Sequence, residues 1–466
     1  MSQIRGSAAG LVEWSRRGPW RERMGELVEK HIRKACDLND IDLFDLPEVI
    51  GEAAMTAMDC AFEDCCTRIW EDGSNLARDY LKRRGWKETA INRAYIEALR
   101  DSTMSLYEVS DVRPGESFLA RDLVGGGDPI CVTELTATKT LVAWDVIACR
   151  IVTVRGVVQM TAAVLAIDRD LAEEILGLLR RTQSRAPAMA ARTFEAADPA
   201  LRAQLEAELA SEGAVLNVAA ATITTLWLNR AIRRAHAPLP QLANTDGEPL
   251  EFVALHYRLA PEATAEGIAA ALARVPDLSD DGDGAHWTWL APEKPSPKRR
   301  GRKSTDVPDT GRTVHGNLTL TAKTLEAQVN SEARCARLRS LLAPELAGLV
   351  REPLIERMTP EQAMAEAGPA TSSPQAIPEG MDPEALRRLT HEILDRQYRM
   401  TLAEPVPMLG GKSPRQAVRS AKGRVAVASW LKGFEQHSAR RPPGDPMRDY
   451  DFGWMWDELG IADLRS

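Results

Sequence analysis

The spacing of apolar residues changes twice along the chain. Over residues 1–103 they recur every three or four positions with charges between them, as in the run MGELVEKHIRKACDL. That spacing is typical of amphipathic helices. From residue 104 the pattern becomes short runs rich in Val, Ile and Leu, separated by turn sequences such as GGGD at 125–128. The sequence therefore predicts a helical region over 1–103 and a small strand-rich, barrel-like module over 104–167.

Helical spacing returns over residues 168–240, where Asp168 is suited to cap the first helix. The stretch GAVLNVAAATITTLWLN, residues 213–229, carries no charge. It is shorter than the ~20 residues that usually span a bilayer, and it contains Asn and Thr side chains. We therefore expect a helix buried in a soluble core and no membrane association.

The remaining chain divides into two parts. Over residues 246–366 the alternating run LEFVALHYRL and the hairpin-like run TVHGNLTLTAKTLEAQVNS flank helical segments, which predicts an α+β domain interrupted by a basic linker at 292–312. Residues 381–466 predict a small C-terminal helical bundle, whose first helix takes its apolar stripe from Leu386, Leu389, Ile393 and Leu394. The fold class is thus α+β and multidomain.

Composition and charge narrow the function classes. The 466 residues carry a formal net charge of −8, so a protein that coats nucleic acid is not indicated. The first residues lack the apolar core of a signal peptide, and the seven cysteines are odd in number and scattered, so we expect free thiols and a cytoplasmic location. The cluster at residues 60–66 lacks the second pair of a zinc site, and an acidic turn at 277–284 has Thr288 where a calcium loop needs Glu. No metal and no cofactor are predicted.

The basic linker offers an alternative function. The run KPSPKRRGRKS contains no acid, and its cations suit contacts to phosphates, although such a run is more often a solvated loop. It has no aromatic residue on which bases would stack. A nucleic-acid-binding regulator would use the barrel-like module together with Lys298, Arg299, Arg300, Arg302 and Lys303.

The run PMLGGKSPRQA, residues 407–417, contains the Gly-Lys-Ser of a nucleotide-binding P-loop. The phosphate-binding turn requires a glycine where this chain has Val406, and Pro414 removes an N–H that phosphate would need. The same residues predict a helix start instead, with Ser413 as the N-cap, Pro414 in the first turn and Gln416 completing a capping box.

This region resembles a known family. The run EPVPMLGGKSPRQAVRSAKGRVAVASWL is similar to the toxin-binding domain of the Xre/MbcA/ParS group of bacterial antitoxins, over about residues 383–437. The resemblance rests on Leu409, Gly411, Lys412, Ser413, Pro414, Gln416, Ala417, Gly423, Arg424, Val427 and Leu431. It implies a module that binds another protein, in this family often an NAD-consuming RES-type toxin. The predicted partner-binding residues are Leu409, Gly411, Lys412, Pro414, Arg415, Arg424, Trp430, Trp454 and Trp456.

Two features depart from that family. The helix-turn-helix that usually precedes the domain is not recognisable, and a tail containing DYDFGWMWDELGI follows it. The aromatic residues of the tail, Tyr450, Phe452, Trp454 and Trp456, are suited either to an interface or to completing the small helical core. The sequence leaves both open.

The sequence contains neither Gly-x-Ser-x-Gly nor His-Glu-x-x-His. We therefore predict a non-enzymatic protein-interaction protein, with nucleic-acid binding as the alternative.

Overall fold

The computed structural model falls into two compact units, one made of residues 1–237 with 373–466 and the other of residues 238–372. It mixes helices and sheets, which confirms the α+β class. The residues that it describes are 6–193, 212–237, 242–292, 312–367 and 382–465.

Seven helices form the N-terminal region, as the apolar spacing predicts. Asn75 and Thr89 cap the last two of them by accepting hydrogen bonds from the backbone N–H groups of Arg78 and Asn92. A π-helical turn, Glu29–Arg33, joins the second helix to the third. The helices are α1 Ala9–Ser15, α2 Pro19–Val28, α3 Lys34–Asp37, α4 Leu46–Ile50, α5 Glu52–Thr67, α6 Leu76–Arg84 and α7 Ala90–Arg100.

Six antiparallel strands then form the barrel-like sheet. Their order is β3-β2-β1-β4-β5, with β6 also paired to β4, and β3 and β5 lie against each other so that the sheet is nearly closed. Arg155 and Gly156 turn β4 into β5 with φ values of 49° and 83°, the left-handed pair that a tight hairpin requires. The strands are β1 Met104–Arg113, β2 Ser117–Asp122, β3 Ile130–Thr133, β4 Val146–Val154, β5 Val157–Met160 and β6 Leu165–Ile167.

Two long helices, α8 (Arg169–Thr193) and α9 (Glu212–Ala235), cover one face of this sheet. Ile175 of α8 and Ile223 of α9 are fully buried in one core with Leu106 and Leu165 of the strands. The uncharged stretch 213–229 is therefore part of a packed helix, and none of the helices within the described ranges is long and apolar enough to cross a membrane.

The second unit has one six-stranded antiparallel sheet with the order β12-β7-β11-β10-β9-β8. Four neighbouring strands of this sheet, β12-β7-β11-β10, have the split βαβ arrangement of ferredoxin-like folds together with the helices that connect them. Helices α10 and α11 share one core with Val253, Leu255 and Tyr257, while the alternate residues of β7 point to the opposite face. The elements are β7 Phe252–Arg258, α10 Ala265–Leu272, β8 Leu278–Asp280, β9 His286–Leu290, β10 Val314–Leu320, β11 Thr324–Val329, α11 Glu332–Glu345, β12 Leu354–Met358 and α12 Pro360–Ala367.

The C-terminal module, residues 382–465, belongs to the same compact unit as the barrel. Short 3-10 turns at Pro407–Leu409 and Ala462–Leu464 complete it. Its helices are α13 Pro383–Thr401, α14 Pro414–Ala417, α15 Ala421–Ala439 and α16 Gly453–Leu459.

Candidate functional site

The Gly-Lys-Ser segment forms a compact loop and a capped helix start. Val406 and Lys412 pair as an isolated antiparallel bridge, and Gly410 and Gly411 between them have φ values of 67° and 74°. Those angles favour glycine because it has no Cβ to clash. The Ser413 hydroxyl accepts from the Gln416 backbone N–H, and the Gln416 side chain accepts from the Ser413 N–H. The predicted capping box is therefore confirmed.

The aromatic tail folds back into the module. Tyr450, Phe452 and Trp456 are buried in the same core as Leu394 and Leu431. The Tyr450 hydroxyl donates to Asp395 of α13 at 2.5 Å, and the Trp456 indole donates to Glu435 of α15 at 2.6 Å. The tail thus supplies the apolar cover that a bundle of this size lacks by itself.

One side of α15 docks on the barrel through a buried ionic contact. The Lys432 ammonium donates to Glu108 of β1 at 2.7 Å and lies 4.4 Å from the centroid of the Trp144 ring. Arg169 of α8 donates to the other oxygen of Glu108 at 3.2 Å. Burial lowers the pKa of Lys432, and the Glu108 carboxylate opposes that shift. A single carboxylate therefore joins the module, the barrel and α8.

Further polar contacts surround this ionic pair. Glu435 accepts from the Trp144 indole at 2.6 Å, as it does from Trp456. Asp145 of the barrel, itself buried, accepts from Gln436 at 2.6 Å and from Arg440 at 2.7 Å. Because these contacts occupy one side of α15, any external partner must bind elsewhere on the module.

An exposed face of the module carries an apolar stripe on α13. Leu389, Ile393 and Met400 are 52%, 54% and 55% exposed. Their spacing places them on one face of the helix, opposite the face on which Leu394 and Leu402 enter the core. The residues of the predicted apolar stripe are therefore divided between two faces: Leu394 is buried, whereas Leu389 and Ile393 are exposed.

One arginine belongs to the stripe. Arg396 lies in line with it and forms no ion pair within the part of the chain that the structure describes. Arg399 stacks on Trp454, with the guanidinium carbon 5.2 Å from the ring centroid. We define the docking stripe as Leu389, Ile393, Arg396 and Met400. It is apolar except for the Arg396 guanidinium.

The residues predicted from the resemblance divide by burial. Leu409, Pro414, Trp430 and Trp456 lie in the module's own core, where a partner cannot reach them without unfolding it. The exposed or half-buried remainder is Gly411, Lys412, Arg415, Arg424 and Trp454.

Two of these partly accessible residues hold the tail in place, and a third, Trp454, belongs to the tail itself. Arg415 pairs with Glu458 of α16, Arg424 pairs with Asp463 at 2.8 Å, and Trp454 donates to Tyr450 at 2.9 Å. Their contacts within the module account for them without a partner. Gly411 and Lys412 remain predicted partner contacts.

The alternative nucleic-acid residues, Lys298, Arg299, Arg300, Arg302 and Lys303, lie outside the described residues. The cysteine cluster at residues 60–66 is buried as free thiols. Within the described ranges, no group of His, Cys, Asp and Glu is arranged to hold a metal ion.

A His–Asp pair in the first unit has the residue types of an acid–base site. His31 Nε2 lies 3.2 Å from Asp64, and its Nδ1 lies 3.1 Å from the Thr224 hydroxyl. His31 is 0% exposed and Asp64 2% exposed, so a substrate cannot reach either of them. The pair instead ties α5 and α9 to the π-helical turn after α2.

The neighbouring Glu63 makes stability depend on pH. Burial raises the pKa of Glu63 from 4.5 to about 7, although Arg150 and hydrogen bonds from Ala163 and Thr161 favour its charged form. Between pH 4.5 and 7 the unfolded chain loses this proton while the folded chain keeps it, so stability falls as pH rises. The difference corresponds to about 3 kcal/mol.

We therefore expect Glu63→Gln to remove a large part of the fall in stability between pH 5 and pH 8. Hydrogen exchange of α5 in wild type and variant at several pH values measures it. Glu97 is exposed, so Glu97→Gln is the control and should leave the change of stability with pH as in wild type. An equal slope in E63Q and wild type would show that Glu63 does not titrate in this range.

Comparison with known proteins adds one match. The model of a family of unknown function (DUF7986) matches residues 57–189, from within α5 through the barrel into α8. No curated protein and no solved structure matches the chain. The matched residues include Glu108 and Trp144, which receive α15, but they end before the C-terminal module begins.

Proposed function

We propose that this chain is a non-enzymatic protein-binding protein whose C-terminal module holds a partner through the docking stripe of α13. The observation that carries the proposal is the exposure of Leu389, Ile393 and Met400 by more than half, in one line along a well-formed helix. Apolar side chains aligned in this way are a common mode of helix recognition between proteins. One side of α15 is already occupied by the barrel.

The charge around the stripe indicates the kind of partner. Arg396 lies among the apolar side chains, and Glu392 lies at their edge. Complementary charge steers binding and selects among partners, so the partner surface should be apolar with an acidic side chain opposite Arg396. The resemblance of residues 383–437 to antitoxin toxin-binding domains makes a RES-type toxin the first such partner to test.

Affinity purification of the tagged full-length chain from its own host tests the proposal. The variant Leu389→Glu with Ile393→Glu places two charges in the stripe and should reduce recovery of the partner at least about tenfold, since buried apolar anchors dominate interface energies. The variant Phe252→Glu with Leu354→Glu is the matched control, because it changes two exposed apolar residues in the other unit.

The proposal predicts that mass spectrometry identifies a protein enriched by wild type and by the F252E/L354E control but not by L389E/I393E. Equal recovery of every enriched protein by wild type and L389E/I393E would contradict it. Enrichment of nucleic acid in place of a protein would favour the alternative function.

A further inference from the structure

A groove in the second unit has the dimensions of a small-molecule site. Its volume is about 550 Å³, within the range of ligand pockets. One wall is formed by α11 and the residues directly after it. Its side chains are small: Ala336, Ser340, Ala343 and Ala347. The floor is apolar and buried, formed by Leu342 and Leu346.

The opposite wall is fixed by backbone pairing. Residues 350–353 line it after the chain reverses at Gly348, whose φ is 77°. Val350 pairs with Leu259 in an isolated bridge, and the Arg351 N–H donates to the Arg258 carbonyl at 2.9 Å. The groove is therefore preformed, because both of its walls are held by the fold of this unit.

Tyr257 gives the groove a phenolic hydroxyl. The residue is 6% exposed and lines the groove, yet its hydroxyl makes no hydrogen bond with any residue that the structure describes. Burial raises its pKa to about 12, so the phenol keeps its proton at neutral pH and is available as a donor.

Two arginines line the same groove. Arg339 is paired with Glu352 at 2.6 Å, whereas Arg351 has no ion-pair partner within the described ranges. A guanidinium without an ion pair and a phenol donor that line one groove are together suited to a carboxylate, which can accept from both. The small side chains and the leucine floor leave room for an apolar body beside that carboxylate.

We propose that this groove binds a small carboxylate with an apolar body, held by Arg351 and the Tyr257 hydroxyl. The carboxylate contacts the two donors, and the apolar part covers Leu342, Leu346 and Val350. This site belongs to the second unit and is independent of the docking stripe on α13.

The full-length chain with 13C-labelled Leu and Val methyl groups tests the proposal by NMR titration. The probes are hexanoate, octanoate, 3-phenylpropionate and indole-3-acetate, each compared with the alcohol of the same skeleton. The expected result is saturable movement of the Leu342, Leu346 and Val350 methyl signals by at least one of the carboxylates. The corresponding alcohol should bind at least about tenfold more weakly.

Two variants separate the site from general apolar binding. Tyr257→Phe removes only the hydroxyl, and Arg351→Gln removes only the charge. Each should lower the affinity for the carboxylate about five- to tenfold. Lys323→Gln removes a positive charge from an exposed hairpin tip of the same unit and should leave the affinity unchanged. The proposal is wrong if none of the four carboxylates moves these signals at concentrations up to about 10 mM. It is also wrong if Y257F and R351Q bind as wild type does.

Discussion

Replacing Trp456 with alanine should unfold the C-terminal module. Trp456 is 1% exposed, is among the largest fully buried side chains and donates to Glu435, which also accepts from Trp144 of the barrel. Truncating a buried tryptophan costs about 3–5 kcal/mol, and here it also removes a donor from Glu435. That loss is comparable with the entire stability of many small domains.

Hydrogen exchange followed by mass spectrometry locates this effect. Peptides from α13, α15 and α16 should exchange much faster in W456A than in wild type, while peptides from the second unit keep their rates. Trp454→Ala is the matched control, because Trp454 is half-buried beside Arg399. Its effect should be limited to about 1 kcal/mol. Unchanged exchange of α13 and α15 in W456A would show that the tail does not complete the module.

Replacing Glu108 with alanine should release the module from the barrel while leaving its own core folded. The substitution leaves the Lys432 ammonium buried, with Arg169 nearby and no carboxylate between them. Removing one partner of a buried ion pair costs about 3–5 kcal/mol, because the remaining charge is desolvated without compensation. Exchange of the barrel-facing part of α15 should therefore accelerate.

A double variant isolates the ionic pair. Glu108→Leu with Lys432→Met replaces both charges of the pair by apolar groups of similar size, and such exchanges are often neutral in stability. Arg169 then loses its carboxylate but keeps its hydrogen bond to the Trp144 carbonyl. We expect this double variant to restore slow exchange in α15 relative to E108A. If E108A exchanges as slowly as wild type, the pair does not hold the module in place.

Local signals predicted some of this structure well. The Ser413–Gln416 capping box depends on residues three positions apart, so the sequence alone identifies it. The Gly-containing turns between the barrel strands are also local signals, so the sequence alone locates them. Strand β6 has three residues and is too short to show a pattern.

Other features depend on contacts that no local pattern records. Glu108 and Lys432 are separated by 324 positions, and Glu435 contacts Trp144 across 291. A glutamate on a strand and a lysine on a helix each have the appearance of a surface residue until the two surfaces meet. The docking of the module on the barrel could not be derived from the sequence for this reason.

The docking stripe shows another limit of prediction from the sequence. Along α13, Leu394, Tyr398 and Leu402 form one apolar line, and Leu389, Ile393 and Met400 form another on the opposite face. Both lines have helical spacing, so periodicity alone cannot decide which of them is buried. The aromatic tail decides it, because it packs on the first line and leaves the second exposed.

The most direct test of the proposed function is the affinity of the purified full-length chain for a RES-type toxin encoded in the same genome, measured by isothermal titration calorimetry. The account predicts saturable binding with a dissociation constant below about 10 µM. It also predicts affinity at least about tenfold weaker for L389E/I393E and unchanged for F252E/L354E. Binding that is equally tight for wild type and L389E/I393E would contradict the docking stripe, and no binding at about 100 µM would contradict the choice of partner.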